Sequence, residues 1–401
     1  MFLLGCTNFK PTLHCLQVAE TPLRNLRQFT KSPTKPSIMA VKGGAHQDYN
    51  HLDELKKFDD SKMGVKGLVD SGLTSIPRMF VHPTETLSDL KSVARSASQV
   101  IPIIDLSGVD SDMRPAIVEQ VSHACRKLGF FQIVNHGLPL EVLNRTIAAV
   151  KAFHELPTEV KNQWYRRETS TGVAFFSNVD MYKAKAASWR DTLQVRLGPV
   201  PSVVDDIPEI CRNEILEWSR QASQLAEILM ELLCEGLGLN AGKLKEMTFL
   251  ESKGLVGHYY PHCPQPDLTF GITSHTDPGI LTLLLQDQIG GLQVKHGEEW
   301  VEVKPIPGAL VINIGDILQI LSNDEYKSVD HRVLANPSPD PRVSIAIFFT
   351  AGKRDGLYGP FPELVSPEKP ALYRQFVLND YITRFFTKDL ADKTLTNYYR
   401  I

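Results

Sequence analysis

Leu281-Thr-Leu-Leu-Leu-Gln286, Ala309-Leu-Val-Ile-Asn-Ile314 and Arg342-Val-Ser-Ile-Ala-Ile-Phe-Phe-Thr350 decide the architecture of this chain. Each is a short run rich in leucine or β-branched residues and closed by turn formers, as expected of a strand in a core. The same rhythm recurs from Leu255 onward, at Leu255–Tyr260, Gly291–Val294, Trp300–Val303 and His331–Ala335, with Gly, Pro and Asp between the runs. Short strands at near-regular spacing predict a sandwich or jelly roll.

Upstream the pattern changes. Ile101–Leu106 reads as a strand, Met113–Leu128 as a helix stopped by Gly129, and Phe130–Val134 as a second strand. Helical spacing follows at Glu141–Phe153, Pro157–Tyr165 and Ile207–Leu237, and Thr86–Gln99 reads as a polar connector. The expectation is an α+β fold. Residues 51–240 form a mainly helical N-terminal region around a jelly-roll domain at 250–355, and 356–401 form a C-terminal helical segment.

Residues 1–50 are expected to be a disordered leader. Lys10, Arg24, Arg27, Lys31 and Lys35 face one acid, Glu20, in a composition like that of an organelle transit peptide. The preferred reading is an extension upstream of Met39-Ala40, which leaves a cytoplasmic protein; a plastid protein is the alternative.

Composition narrows the class. Across 401 residues the chain is 42% hydrophobic and 22% charged, with a formal net charge of -3. That balance gives no electrostatic case for nucleic acid or an anionic membrane. No apolar run approaches the roughly 18 residues of a membrane span. The six cysteines are scattered without a C-x-x-C pair, which suits reduced thiols. A small-molecule ligand and a monomer are expected.

The chemistry concentrates in the β-rich part. In His275-Thr-Asp277, residues i and i+2 share a face if the tripeptide lies at a strand end. His331 opens a later apolar run. Two imidazoles and a carboxylate on one side of a metal leave open positions opposite, an arrangement suited to an iron(II) that must bind oxygen. Arg342 and Ser344 again stand at i and i+2. A guanidinium facing into an apolar barrel needs an anionic partner, and its planar fork matches a carboxylate. The pair looks like a receptor for the far carboxylate of a dicarboxylic co-substrate, with Tyr260 as a further hydroxyl donor. Two look-alikes fail. His154-Glu155 is followed by Pro157 and Thr158, which excludes a zincin helix, and Gly236–Lys243 lacks phosphate-loop spacing.

Taken together, His258-Tyr-Tyr-Pro-His-Cys-Pro-Gln-Pro266, His275-x-Asp277, His331 and Arg342-x-Ser344 resemble the plant 2-oxoglutarate/Fe(II)-dependent dioxygenases. Ile101-Pro-Ile-Ile-Asp-Leu106 and Gly129-Phe-Phe-Gln-Ile-Val-Asn-His-Gly137 are similar to that family's N-terminal domain. Leu55-Lys-Lys-Phe-Asp-Asp60 and Gly64-Val-Lys-Gly-Leu-Val-Asp70 resemble its branch of 1-aminocyclopropane-1-carboxylate oxidase homologues. The resemblance spans roughly residues 50 to 395. It implies a double-stranded β-helix, iron on His275, Asp277 and His331, and 2-oxoglutarate held by Arg342, Ser344 and Tyr260. O2 is the implied oxidant and ascorbate the implied reductant. One departure is His258, where many relatives carry Asn.

The expected reaction is hydroxylation of an aromatic or alkaloid-like small molecule of plant specialised metabolism, with release of succinate and CO2. Two alternatives stand beside it: an oxidase of the ethylene-forming type that does without 2-oxoglutarate, and a non-catalytic jelly-roll binding protein. Phe175 and Phe349 are the expected substrate contacts, drawn from a set that also holds Phe176, Trp189 and Phe348. The segment Ala187–Thr192 reads as scaffold.

Overall fold

The computed structural model describes residues 50–88, 90, 101–387 and 394–401, and residues 50–401 form one compact unit. The expected leader and most of the expected connector at Thr86–Gln99 lie outside the described residues; the connector's first residues belong to a helix at Thr84–Ser88.

Twelve strands build the core. They are β1 (Ile103–Asp105), β2 (Phe130–Val134), β3 (Val173–Phe176), β4 (Asp191–Arg196), β5 (Ser252–Tyr260) and β6 (Phe270–His275), followed by β7 (Leu281–Gln286), β8 (Leu292–His296), β9 (Glu299–Glu302), β10 (Leu310–Ile314), β11 (His331–Leu334) and β12 (Arg342–Thr350). Eight of them form one sheet in the order β1-β2-β10-β7-β12-β5-β4-β3, and β6-β11-β8-β9 form a second. The jelly-roll expectation is met. Four strands from the N-terminal half, β1 to β4, complete the large sheet at its two ends.

Alternation along β12 shows how the sheet divides its residues. Val343, Ile345, Ile347 and Phe349 join the large apolar core on the outer face. That core includes the helices Arg114–Lys127, Leu140–Glu155 and Glu209–Gly236. The last of these buries Cys211, Ile215, Trp218, Ala222, Leu225 and Leu229 at three- and four-residue spacing. Arg342, Ser344, Ala346 and Phe348 point the other way, toward the second sheet and the cavities. A sheet buried on both faces reads as a continuous apolar run, which is why β7, β10 and β12 were legible as strands.

Two glycines are required by this packing. Gly129, between helix Arg114–Lys127 and β2, has φ +64°, and a Cβ there would meet the Lys327 carbonyl oxygen at 2.1 Å. Gly257 on β5 lets helix Leu140–Glu155 approach, since a Cβ would lie 2.6 Å from Val150 Cγ1.

His154 lies under the same sheet. It is fully buried, stacks on Tyr259 at 5.2 Å and donates from Nε2 to the Gly257 carbonyl at 3.0 Å. Burial and the nearby Lys161 charge push its pKa down to about 3. An unfolded histidine titrates near 6.5. Between those values the unfolded chain binds a proton that the folded chain refuses, so stability is complete above pH 6.5 and declines as pH falls. The decline is at most about 1.4 kcal/mol per pH unit for this residue. His154→Gln keeps an amide donor for Gly257 and is expected to flatten the curve of melting temperature against pH between 6.5 and 4. An unchanged slope would show that His154 is not the source.

Candidate active site

The three sequence-predicted ligand residues are brought together by one strand pairing and one turn. His275 ends β6, His331 begins β11, and the antiparallel register sets them opposite each other with ring centroids 4.2 Å apart. Asp277 follows in the turn after β6, its Oδ1 3.9 Å from His275 Nε2 and 3.7 Å from His331 Nε2. The donor atoms all lie within 4.8 Å of one another, and this is the only such cluster of His, Cys, Asp or Glu among the described residues.

Hydrogen bonds settle which atoms are available. Each histidine places Nδ1 against a main-chain carbonyl, Thr273 at 2.9 Å for His275 and Val329 at 3.3 Å for His331. A carbonyl only accepts, so Nδ1 carries the proton in each neutral ring and Nε2 keeps its lone pair. On Asp277, Oδ2 accepts from Thr282 Oγ1 and Asn313 Nδ2, both at 2.7 Å, which leaves Oδ1 toward the imidazoles. Burial, and after it the neighbouring His331, lowers the His275 pKa to about 3. Burial alone would raise Asp277. The two imidazoles and the bonds from Asn313 and Thr282 outweigh it and keep the carboxyl below the usual range.

Two bare imidazole nitrogens and one carboxylate oxygen converging on one point fit a divalent iron with positions left open. Asn313 does not enter this donor set but orients one member of it. Removing such a support costs metal affinity about 10- to 100-fold. Asn313→Leu is therefore expected to weaken Fe(II) binding by that factor in equilibrium dialysis, and unaltered affinity would mean Asp277 is positioned by other contacts.

Next to the triad, a cavity of about 50 Å³ reaches Arg342, Ser344 and Tyr260. Arg342 is 1% exposed. Its Nη1 donates to Ser344 Oγ at 3.0 Å and its Nη2 to Gln286 Oε1 at 2.9 Å, and it lies 4.9 Å over the Tyr260 ring. Arg342 Nε, the Tyr260 hydroxyl and Gln286 Nε2 are buried without partners. A buried guanidinium facing neutral groups, ringed by unfilled polar atoms, is built to receive an anion. The carboxylate of a molecule whose other end reaches the triad fits this cradle.

His258 lines both this cavity and a larger one. It sits between Thr192 and Ser344 in the sheet, with Nδ1 3.0 Å from Thr192 Oγ1. Burial and the charges of Arg190 and Arg342 hold its pKa well below 6.5, so it stands there as a neutral ring.

The larger cavity measures about 200 Å³ and opens from the triad between the large sheet and the C-terminal helix Leu378–Thr387. Here the expected aromatic contacts are corrected by one residue each. Phe176 and Phe348 line the cavity; Phe175 and Phe349 are buried on the opposite face of the sheet. Phe175 instead packs edge-on against Phe153 and Tyr165. Side chains alternate along a strand, so neighbouring phenylalanines cannot share a face.

Trp189 also lies outside the cavity. It packs against Phe80 and donates to the His262 carbonyl. The segment Ala187–Thr192, read as scaffold, carries more of the site than expected: its Arg190 and Thr192, followed by Gln194 and Arg196 beyond it, present their side chains to the cavity at every second position. That polar period of two was the available signal. The cavity's third wall, Ile382, Phe385 and Phe386, comes from a helix to which the sequence reading assigned no function.

Comparison with known proteins agrees with this geometry. Residues 252–351 match the model of the 2OG-Fe(II) oxygenase superfamily, and residues 101–210 match that of the non-haem dioxygenase in morphine synthesis N-terminal domain. The 1-aminocyclopropane-1-carboxylate oxidase homolog 4 of Arabidopsis thaliana is 46% identical over 347 residues, covering 86% of this chain and 97% of the relative. Deacetoxyvindoline 4-hydroxylase of Catharanthus roseus is 44% identical over 360 residues, covering 87% of this chain and 89% of the relative. Among solved structures, JOX2 in complex with 2OG, Fe and JA superposes with a TM-score of 0.73 at 33% identity, over 84% of this chain and 97% of that one. No helix among the described residues is long and apolar enough to cross a membrane. The chain belongs to the 2-oxoglutarate- and Fe(II)-dependent dioxygenases, in the branch of 1-aminocyclopropane-1-carboxylate oxidase homologues.

Proposed function

We propose that this dioxygenase hydroxylates a small molecule of plant specialised metabolism with an aromatic or alkaloid-like body. The observation that carries the reading is the larger cavity, which runs from His275 and Asp277 between Phe176, Phe348 and Phe385. A mostly apolar cleft with a few placed polar groups is the usual form of a small-molecule site.

Each part of the site has a separate task. His275 Nε2, Asp277 Oδ1 and His331 Nε2 would hold iron, with Asn313 and Thr282 keeping the Asp277 carboxylate turned toward it. Arg342, Ser344 and Tyr260 would hold the far carboxylate of 2-oxoglutarate and so deliver its other end to the triad. Phe130, Leu284 and Val333 wall that smaller cavity with apolar surface and keep water out. When bound, Fe(II) with 2-oxoglutarate and O2 supplies an oxidative decarboxylation to succinate and CO2 and transfers one oxygen atom to a substrate C–H bond, with ascorbate maintaining the reduced metal. The substrate lies beyond His258 in the larger cavity, which shares His258, His275, Asp277 and Phe348 with the smaller one, so both molecules reach the triad from the same face of the large sheet. An oxidase that works without 2-oxoglutarate would leave the Arg342 cradle without a purpose.

The test is incubation of iron-loaded enzyme with a plant metabolite extract. Features that gain one oxygen atom only when Fe(II) and 2-oxoglutarate are both present are the expected result. Products that only lose hydrogen would overturn the hydroxylation reading.

A further inference from the structure

Arg196 and Arg354 stand at the end of the larger cavity remote from the triad. Arg196 closes β4 on the same face as Thr192 and Gln194, and its Nη1 lies 3.8 Å from where a Cβ on Gly254 would sit. Its guanidinium therefore reaches across β5 toward the cavity. Arg354 comes from the turn that follows β12. That turn is tied to the C-terminal helix by the Asn379 N–H, which donates to the Arg354 carbonyl at 2.8 Å.

Neither guanidinium has a carboxylate within ion-pair distance among the described residues, and Glu168 acts on Arg196 only from farther away. Arg196 gives its Nε to the Thr169 carbonyl at 3.2 Å and makes no ion pair among the described residues, and neither does Arg354. Burial and the Arg354 charge lower the pKa of Arg196, which Glu168 offsets only in part, and burial lowers that of Arg354. Several other partly buried arginines do have such a partner. Arg114 pairs with Glu231 and Glu235, Arg212 with Asp205, and Arg400 with Asp324. Two like charges left half-buried together are unfavourable unless an anion joins them, and a planar guanidinium fork matches an oxyanion.

The sheet register measures the distance to the iron ligands. Thr282, which donates to Asp277, pairs with Phe348, Phe348 with Gly254, and Gly254 with Arg196. Three strand spacings of about 4.8 Å put Arg196 at most about 14 Å from Thr282 along the sheet. Phe348 and the bare backbone at Gly254 form the floor between them, while Ile382 and Phe385 come from the C-terminal helix.

We propose that Arg196 and Arg354 form an oxyanion site, and that the substrate is an organic acid whose charged end docks there while its apolar body extends to the triad. The proposal rests on the reading of this cavity as the substrate site of an oxygenase. It favours acids over uncharged or basic molecules of the same shape.

The test uses the full chain loaded with Fe(II) and 2-oxoglutarate in the absence of oxygen. The probes are ω-phenylalkanoates and 3-(indol-3-yl)propionate, each with its methyl ester, its sulfonate analogue and the corresponding amine, titrated by calorimetry. At least one acid is expected to bind about tenfold or more tighter than its ester, the range of a charge-assisted contact. Arg196→Gln and Arg354→Gln should each lower acid affinity about tenfold and leave ester affinity within about twofold, with Arg354→Lys intermediate. Sulfonates binding like the acids would support a general oxyanion site, and sulfonates failing where acids bind would support one selective for carboxylate. Acids and esters of equal affinity, amines that bind best, no binding by any acid, or an acid preference that survives both Gln variants would overturn the proposal. Succinate release by the parent enzyme in air without any probe tests the oxygenase reading separately. Its absence alongside acid-selective binding would sink that reading and leave the anion site standing.

Discussion

Asp277→Ala is expected to lower succinate release from 2-oxoglutarate to below about one thousandth of the parent rate, a loss of about 4 kcal/mol in transition-state stabilisation. The reason is specific to this residue. Asp277 is the one anion among the three donors, and the bonds from Thr282 and Asn313 to its Oδ2 hold Oδ1 toward the imidazoles. Alanine leaves two imidazoles, with their Nδ1 atoms committed to main-chain carbonyls, to hold a divalent ion. Equilibrium dialysis should show Fe(II) affinity falling in parallel, with the fold retained by circular dichroism. Succinate release within tenfold of the parent would mean that the metal is held elsewhere.

The second large effect is expected at Arg342. Its guanidinium is buried, bonded to Ser344 and Gln286, and makes no ion pair among the described residues. Truncating one partner of a buried charge pair costs about 2–5 kcal/mol. Arg342→Ala should therefore raise the 2-oxoglutarate requirement by several hundredfold at about 3–4 kcal/mol, while Fe(II) binding stays near that of the parent. The two variants separate two sites that a simple loss of activity would merge. An unchanged 2-oxoglutarate requirement would place the co-substrate's tail away from the β12 cradle.

The strand core was legible because a sheet covered on both faces leaves long apolar runs at β7, β10 and β12. The same property hid its phase. In Phe175-Phe176 and Phe348-Phe349 both members of each pair are hydrophobic, and only the hydrogen-bond register says which one faces the cavity. Arg342 and Ser344 could be read, since polar residues two apart in an apolar strand have to share a face. The alternation Arg190, Thr192, Gln194, Arg196 obeys the same rule. It does not mark a site by itself, because a polar face ordinarily means solvent, whereas here it borders a cavity. The C-terminal helix could not be placed from sequence, because its Ile382 and Phe385 acquire a role only through the tertiary position of Leu378–Thr387.

The most direct test is a crystal structure of the full chain grown without oxygen in the presence of Fe(II) and 2-oxoglutarate. The account predicts one iron in contact with His275 Nε2, Asp277 Oδ1 and His331 Nε2, and the far carboxylate of 2-oxoglutarate on Arg342, Ser344 and the Tyr260 hydroxyl. An iron bound by other residues, or a 2-oxoglutarate tail that leaves Arg342 unpartnered, would contradict it.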